Sequence, residues 1–239
     1  MKLRRCLGVV LMLALVAATT QPAATTRGVG EKKMEGWVRD LANGDPEVRR
    51  EAWKELMGID AGELERLKEV VKRCQPLGPS QRAMLPGIVG QIYLSGEMNE
   101  EAMPGNVGFL GVLLLPNEVE IPGKEHTDGA TVTGRLPGTC GYRMLEDGDV
   151  IVRIKTDQAH EVHTSDDLME RIKLQHGGDV VGLDVLRLGK MVHVELTLSQ
   201  KPAWAVDALR VEQGVAEREK RASDYWEKEF APLMEGGAS

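Results

Sequence analysis

Apolar and polar positions follow two different periods along this chain, and the change of period divides it. From Glu31 to Gly96 the spacing is helical. Trp37, Val38 and Leu41 share one face of a first helix. Gly44-Asp45-Pro46 then interrupts the run. Asp45 suits an N-cap, and Pro46 suits the first helical position, where its missing N–H costs nothing. Val48, Ala52 and Leu56 follow at i, i+4 and i+8, the stripe of an amphipathic helix. Leu64, Leu67 and Val71 mark a third helix. The stretch PSQRAMLPGIVGQIYLSG predicts a fourth, kinked or split at Pro86-Gly87.

From Val107 onward the period becomes alternating. GNVGFLGVLLL, Gly105 to Leu115, sets Gly108 and Gly111 around Phe109 and Leu110, directly before an apolar run. Each glycine weakens a strand by about 0.5–1 kcal/mol relative to alanine, so the pair asks for a compensating use. GATVTGRL and DGDVIVRI read as further strands. HTSDDLMERIKLQHGG reads as a helix capped by Thr164, with Asp167 in capping-box spacing. Leu168 and Ile172 form its apolar face, and Gly177-Gly178 end it. Further on, Val192, Val194, Leu196 and Leu198 alternate with His193, Glu195 and Thr197, so one face of that strand is buried. A two-residue turn at Gly189-Lys190 pairs Val185 with Val194 and Leu183 with Leu196, and sets Asp184 opposite Glu195.

The first residues stand outside this pattern. Lys2, Arg4 and Arg5 precede the charge-free apolar run CLGVVLMLALVAA, Cys6 to Ala18, the layout of a secretory signal over residues 1–18. The run is short for a membrane span of about 20 residues. An uncleaved anchor, the one case in which the chain is tethered to a membrane, is the alternative. Residues 19–30 read as a small, polar leader. Helical segment, β-rich unit and a C-terminal helical segment then occupy 31–98, 103–200 and 203–234.

Composition narrows the function. Hydrophobic residues at 42% and charged residues at 28% allow a buried core. A net charge of −7 and an aromatic content of 4% count against nucleic acid as a partner: phosphates need a basic face, and single strands need stacking platforms. Cys74 and Cys140 fall in different segments; two free, mostly buried thiols are expected, with a bridge as the alternative.

No catalytic constellation stands out. Gly-Asn-Ser-Gly-Gly and Gly-x-Ser-x-Gly are both absent from the sequence. His160 and His163 form His-x-x-His without a carboxylate or cysteine at metal spacing, so no metal or cofactor is expected. Asp147 and Asp149 have the look of a paired-carboxylate site, with shaping the turn into VIVRI as the other reading. Glu217 to Arg221 read as a solvated helix face. Tyr225, Trp226 and Phe230 either dock that helix on the rest of the chain or offer a contact to another protein.

Two family resemblances attach to these residues. LANGDPEVRREAWKELMGID resembles a HEAT-type helical repeat through Asp45-Pro46, Val48-Arg49, Ala52 and Leu56. An ordinary helical hairpin is the alternative. Gly108-Phe109-Leu110-Gly111-Val112, GATVTGRLPG, LEDGDVIVRI, DLMERI and VLRLGK…VELTL stand in the order found in PDZ domains. They look most like the type appended to bacterial periplasmic heat-shock serine proteases. The fold class implied is α+β: a HEAT-like helical segment, then a small, partly open β-barrel with a groove helix, then a C-terminal helix. GTCGYRMLEDGD departs from the family in lacking an alanine-glycine pair before its glycine-aspartate turn, and the loop Pro116 to Gly129 is long enough to cover a groove.

The PDZ resemblance implies a use for the glycines. They let backbone amides approach a peptide's terminal carboxylate. Gly108 opens that loop, and Phe109, Leu110 and Gly111 supply the amides. Val112 and Leu113 present the edge to which a peptide adds as a strand, against a helix carrying Ser165, Met169 and Ile172. Ser165 stands where many PDZ domains place a selective histidine, so an apolar, loosely selective groove is expected. The implied protein is an exported, secreted or periplasmic, non-catalytic adaptor for a protein or peptide C-terminus. The alternatives are an accessory or regulatory subunit of a periplasmic protease, and an assembly protein with a vestigial groove.

Overall fold

The computed structural model describes residues 30–100, 103–116, 128–205 and 208–235. The signal, its cleavage site, nearly all of the leader and residues 117–127 of the long loop lie outside the described residues.

Four helices come first: α1 (Glu31–Asp40), α2 (Pro46–Met57), α3 (Leu64–Arg73) and α4 (Pro79–Glu100). Asp45 caps α2, its carboxylate accepting from the Glu47 amide at 2.8 Å. α4 is one helix of 22 residues and is not split at Pro86. Leu85, Ile88, Val89 and Ile92 are all fully buried, and this packed stripe holds the helix together where local propensity would end it. The helices share one core, with Met34, Leu41, Leu56 and Leu67 fully buried in it. After the β-rich unit, α7 (Ala208–Glu229) and α8 (Ala231–Glu235) return to this core. Phe230 is fully buried within it, and Tyr225 stacks on Tyr93 with ring centroids 4.7 Å apart. The C-terminal aromatics thus dock the chain on its own helices.

The β-rich unit comprises β1 (Gly108–Phe109), β2 (Val112–Leu114), β3 (Ala130–Arg135), α5 (Cys140–Met144), β4 (Val150–Lys155), β5 (Ala159–Glu161), α6 (Ser165–Lys173), β6 (Val180–Arg187), β7 (Lys190–Thr197) and β8 (Ser199–Gln200). One sheet runs β2-β3-β4-β6-β7, with β5 on β4; β1 pairs separately with β8. The sheets stay open, and no closed barrel occurs among the described residues. The chain is thus a mixed α and β structure with open sheets. β2 pairs with β3 and ends the sheet, and its other edge has no strand partner among the described residues. Ile151, Ile154, Val181, Leu183 and Val185 bury one sheet face against Leu168 and Ile172 of α6.

Two local expectations shift. α6 has the capping box of Thr164 and Asp167 but ends at Lys173. Gly177 and Gly178 instead turn the chain back, their amides donating to Asn106 and Leu198 carbonyls at 3.0 and 2.8 Å. The β6–β7 turn is Leu188-Gly189, with φ of 49° and 76°, both on the left-handed side that a two-residue hairpin loop demands. Val185 consequently meets Val192, and Leu183 meets Val194. A shift of two keeps the same side chains inside. It also exchanges the Asp184–Glu195 repulsion for Asp184 facing His193, at 2.8 Å.

Asp149 organises the turn into β4. Its fully buried side chain accepts from the Glu146 amide at 2.8 Å and from Arg187 at 2.8 and 2.7 Å. The hydrogen bond to Asp149 is the main reason the Arg187 pKa is raised. Replacing one partner of such a pair strands the other. Asp149→Ala is expected to cost about 3–5 kcal/mol. A urea titration checks this: the midpoint falls with little change in slope, and a loss below about 1 kcal/mol contradicts the assignment.

Candidate functional site

A cavity of about 680 Å³ opens between β2 and α6. Gly108, Phe109, Leu110, Gly111, Val112 and Leu113 line one side of it, and Ser165, Met169 and Ile172 the other. All nine sequence-predicted positions therefore meet at one place. Their burial differs. Leu168 and Ile172 are 1% and 7% exposed and belong to the core as well as the cavity floor. Met169 is 42% exposed and stands at the rim. Lys173 and Lys201 also reach the wall, with Asp166 as the acidic counterpart.

Backbone direction decides what this cavity can bind. The Leu110 carbonyl accepts from the Gly141 amide at 2.9 Å, and the Gly111 carbonyl from the Leu136 amide at 2.9 Å. The Cys140 sulfur lies 3.6 and 3.5 Å from the Phe109 and Leu110 carbonyls. Burial pushes the Cys140 thiol pKa up, which keeps on sulfur the proton these contacts need. Three successive carbonyls thus face one short segment, residues 136–141. The peptides here are trans, so each following N–H points the opposite way. The amides of Leu110, Gly111 and Val112 are turned from that segment toward the cavity side. The Leu110 and Gly111 amides donate to no backbone carbonyl among the described residues. Successive free amides form an anion-binding concavity. Gly111 has φ +72°, and a Cβ there would fall 2.3 Å from Thr139.

The phase of β2 corrects the expected pairing edge. The Gly111 carbonyl and the Leu115 amide bond toward β3, and Thr133 Oγ1 donates to the Leu113 carbonyl at 3.2 Å. The Gly111 carbonyl, Leu113 and the Leu115 amide therefore face β3, and the open edge belongs to Val112 and Leu114. Leu113 lines the cavity without offering that edge. At the far end Ser165 Oγ donates to the Leu115 carbonyl at 2.8 Å. This bond ties the start of α6 to the end of the open edge and closes the groove there.

Three contributors escaped the sequence reading: Thr139, which fills the space beside Gly111, and Lys173 and Lys201 on the wall. Thr139 gives no signal because it bonds the chain 28 residues away. Cys74 and Cys140 are both free. His160 pairs with Ile154 in the β4–β5 ladder. No group of three potential metal ligands occurs among the described residues. No helix among them is long and apolar enough to cross a membrane.

No protein-family model matches the chain, and no curated protein does. Among solved structures, the HtrA-type protease AlgW with a decapeptide is similar at 26% identity, covering 40% of this chain and 30% of that one, with a TM-score of 0.35. The same protease with a tripeptide is similar at 27% identity, covering 40% and 32%, with a TM-score of 0.34. This chain spans just under a third of those chains' length.

Two substitutions separate the cavity from the core behind it. Met169→Lys places its charge at an exposed rim and is expected to change stability by less than about 0.5 kcal/mol. Gly111→Val forces a β-branched residue into positive φ and against Thr139, and is expected to cost at least about 2 kcal/mol. Chemical denaturation of both variants checks this. Unfolding of Met169→Lys, or a neutral Gly111→Val, contradicts the geometry described.

Proposed function

We propose that this chain is an exported, PDZ-type peptide-binding protein that captures free C-termini by strand addition and catalyses no reaction. The observation that carries the reading is the inward tie of the Phe109, Leu110 and Gly111 carbonyls beside a strand edge that has no strand partner among the described residues. A terminal carboxylate meets the Leu110 and Gly111 amides. The residues before it pair with Val112 and Leu114, and the terminal side chain enters the apolar space above Leu168 and Ile172. Lys173 and Lys201 add a positive field that favours an anionic end. The groove offers little area against the cost of ordering a peptide, so affinity falls at about 1–100 μM.

The edge from Leu110 to Leu114 takes about four residues at ~3.3 Å each. The Ser165–Leu115 bond ends it there. Calorimetric titration of a hexapeptide ending in valine, as free acid and as amide, tests the reading. Binding of the acid and loss with the amide is expected, with no further gain on extending the peptide at its N-terminal end. Equal binding of acid and amide overturns carboxylate capture. Separately, a serine-reactive phosphonate is expected to label no serine; stoichiometric labelling of one overturns the non-catalytic assignment.

A further inference from the structure

The seam between the helical core and the groove is polar and buried. Gln91 of α4 is 4% exposed, in the same helix as buried Leu85, Ile88, Val89 and Ile92. A glutamine among such neighbours costs free energy unless its amide is paired. It is paired twice, with one short stretch of chain. Gln91 Oε1 accepts from the Gly138 amide at 2.6 Å, and Gln91 Nε2 donates to the Thr139 carbonyl at 3.2 Å. Gly138 has φ +87°, and a Cβ there would lie 2.8 Å from the Leu94 backbone and 2.7 Å from the Arg218 guanidinium. Arg218, 2% exposed, itself donates to the Leu94 carbonyl at 2.7 Å. α4 and α7 therefore hold Gly138 and Thr139 from one side.

On the other side Thr139 meets the groove loop. It is 1% exposed, and its hydroxyl lies 2.7 Å from the Leu136 carbonyl and 3.2 Å from the Gly111 carbonyl. Its Cβ, Cγ2 and Oγ1 occupy the space a side chain at 111 would need. The Gly111 carbonyl fixes the direction of the Val112 amide, and the packing of Thr139 fixes the plane before it. We propose that Gln91 is a positioning residue for the groove: through Gly138 and Thr139 it sets the orientation of Gly111 and of the amides that face the cavity. The helical bundle is then part of the binding machinery and not a neighbour of it. Coupling of this kind is reciprocal, so a ligand in the groove also tightens the seam.

The ligand in this inference rests on the peptide-binding reading, but the orientation of the loop does not. The test uses the full chain. Gln91→Leu keeps most of the volume and removes both bonds; Thr139→Val keeps the shape and removes the hydroxyl. The probe is the free-acid hexapeptide ending in valine, titrated at a temperature where far-UV circular dichroism finds each variant folded. Each variant is expected to bind about tenfold more weakly. The double variant is expected to bind less weakly than the two losses multiplied, because both act through one relay. Backbone amide resonances of Gly111 and Val112 are expected to move in Gln91→Leu, while those of the β6–β7 hairpin stay in place.

A merely structural Gln91 lowers the unfolding midpoint but leaves affinity and these two resonances unchanged in the folded protein, and that outcome overturns the inference. Losses that simply multiply overturn it as well. If the parent binds no peptide, the peptide-binding reading fails, and the Gly111 and Val112 resonances still decide the relay. Should Gln91→Leu not fold, Gln91→Glu replaces it, keeping the acceptor for the Gly138 amide and losing the donor to Thr139.

Discussion

A trans peptide cannot point its carbonyl and its following N–H the same way, and the groove depends on this constraint. Once residues 136–141 engage the carbonyls of Phe109, Leu110 and Gly111, the direction of the next three amides is decided without any further contact. The cost falls on Gly111, held at φ +72° with Thr139 against it. A residue with a Cβ would have to leave that conformation, and the amides would turn with it. At Gly111 the weakening of the local strand is therefore compensated: the amides of 110 and 111 make no backbone bond among the described residues and become directed donors.

The opposite wall is set by a different local device. Thr164 and Asp167 form a reciprocal cap, and the Thr164 hydroxyl is the chief reason the Asp167 carboxyl titrates below its ordinary range. The cap fixes the residue at which α6 begins. Ser165 then stands where its hydroxyl reaches the Leu115 carbonyl, and Leu168 and Ile172 fall one turn apart on the inner face. Those two leucine and isoleucine side chains serve the core and the cavity floor at once. Changes at the floor therefore alter stability and cavity shape together, whereas Met169 at the rim is free of that linkage.

What was legible in the sequence was local. Helical and alternating periods, the Asp45 and Thr164 caps and the glycine loop all declare themselves within a few residues, and all nine expected site positions meet at the cavity. What failed needed longer reach or unusual turn chemistry. The hairpin register was missed because its turn puts Leu188, 95% exposed, at a left-handed position that normally calls for asparagine or glycine. Of the kink or split expected at Pro86-Gly87, the split does not occur, because tertiary packing carries α4 through the proline. The β2 phase was missed by one residue because alternation alone does not say which edge a partner covers. Gln91 was invisible: a glutamine on a helix ordinarily reads as solvated, and its partners lie 47 and 48 residues away.

The chemistry of the seam bears on why the two cores meet through polar groups. Apolar side chains in contact can slide by a fraction of an ångström at little cost, since dispersion and area burial have no direction. A side-chain amide bonded to both an N–H and a carbonyl of adjoining residues has one satisfied orientation, and any slip strands a buried donor or acceptor. Gln91 with Gly138 and Thr139 is of this kind across the seam, and within the helical bundle Arg218 with Leu94, and Arg221 with Glu97 through Nε and Nη2 at 2.8 and 2.9 Å, fix α7 on α4 in the same way. A seam built this way contributes less to stability than an apolar one of equal area, but it transmits position. Binding by backbone amides requires position above all, because the donors have no rotamers with which to adjust.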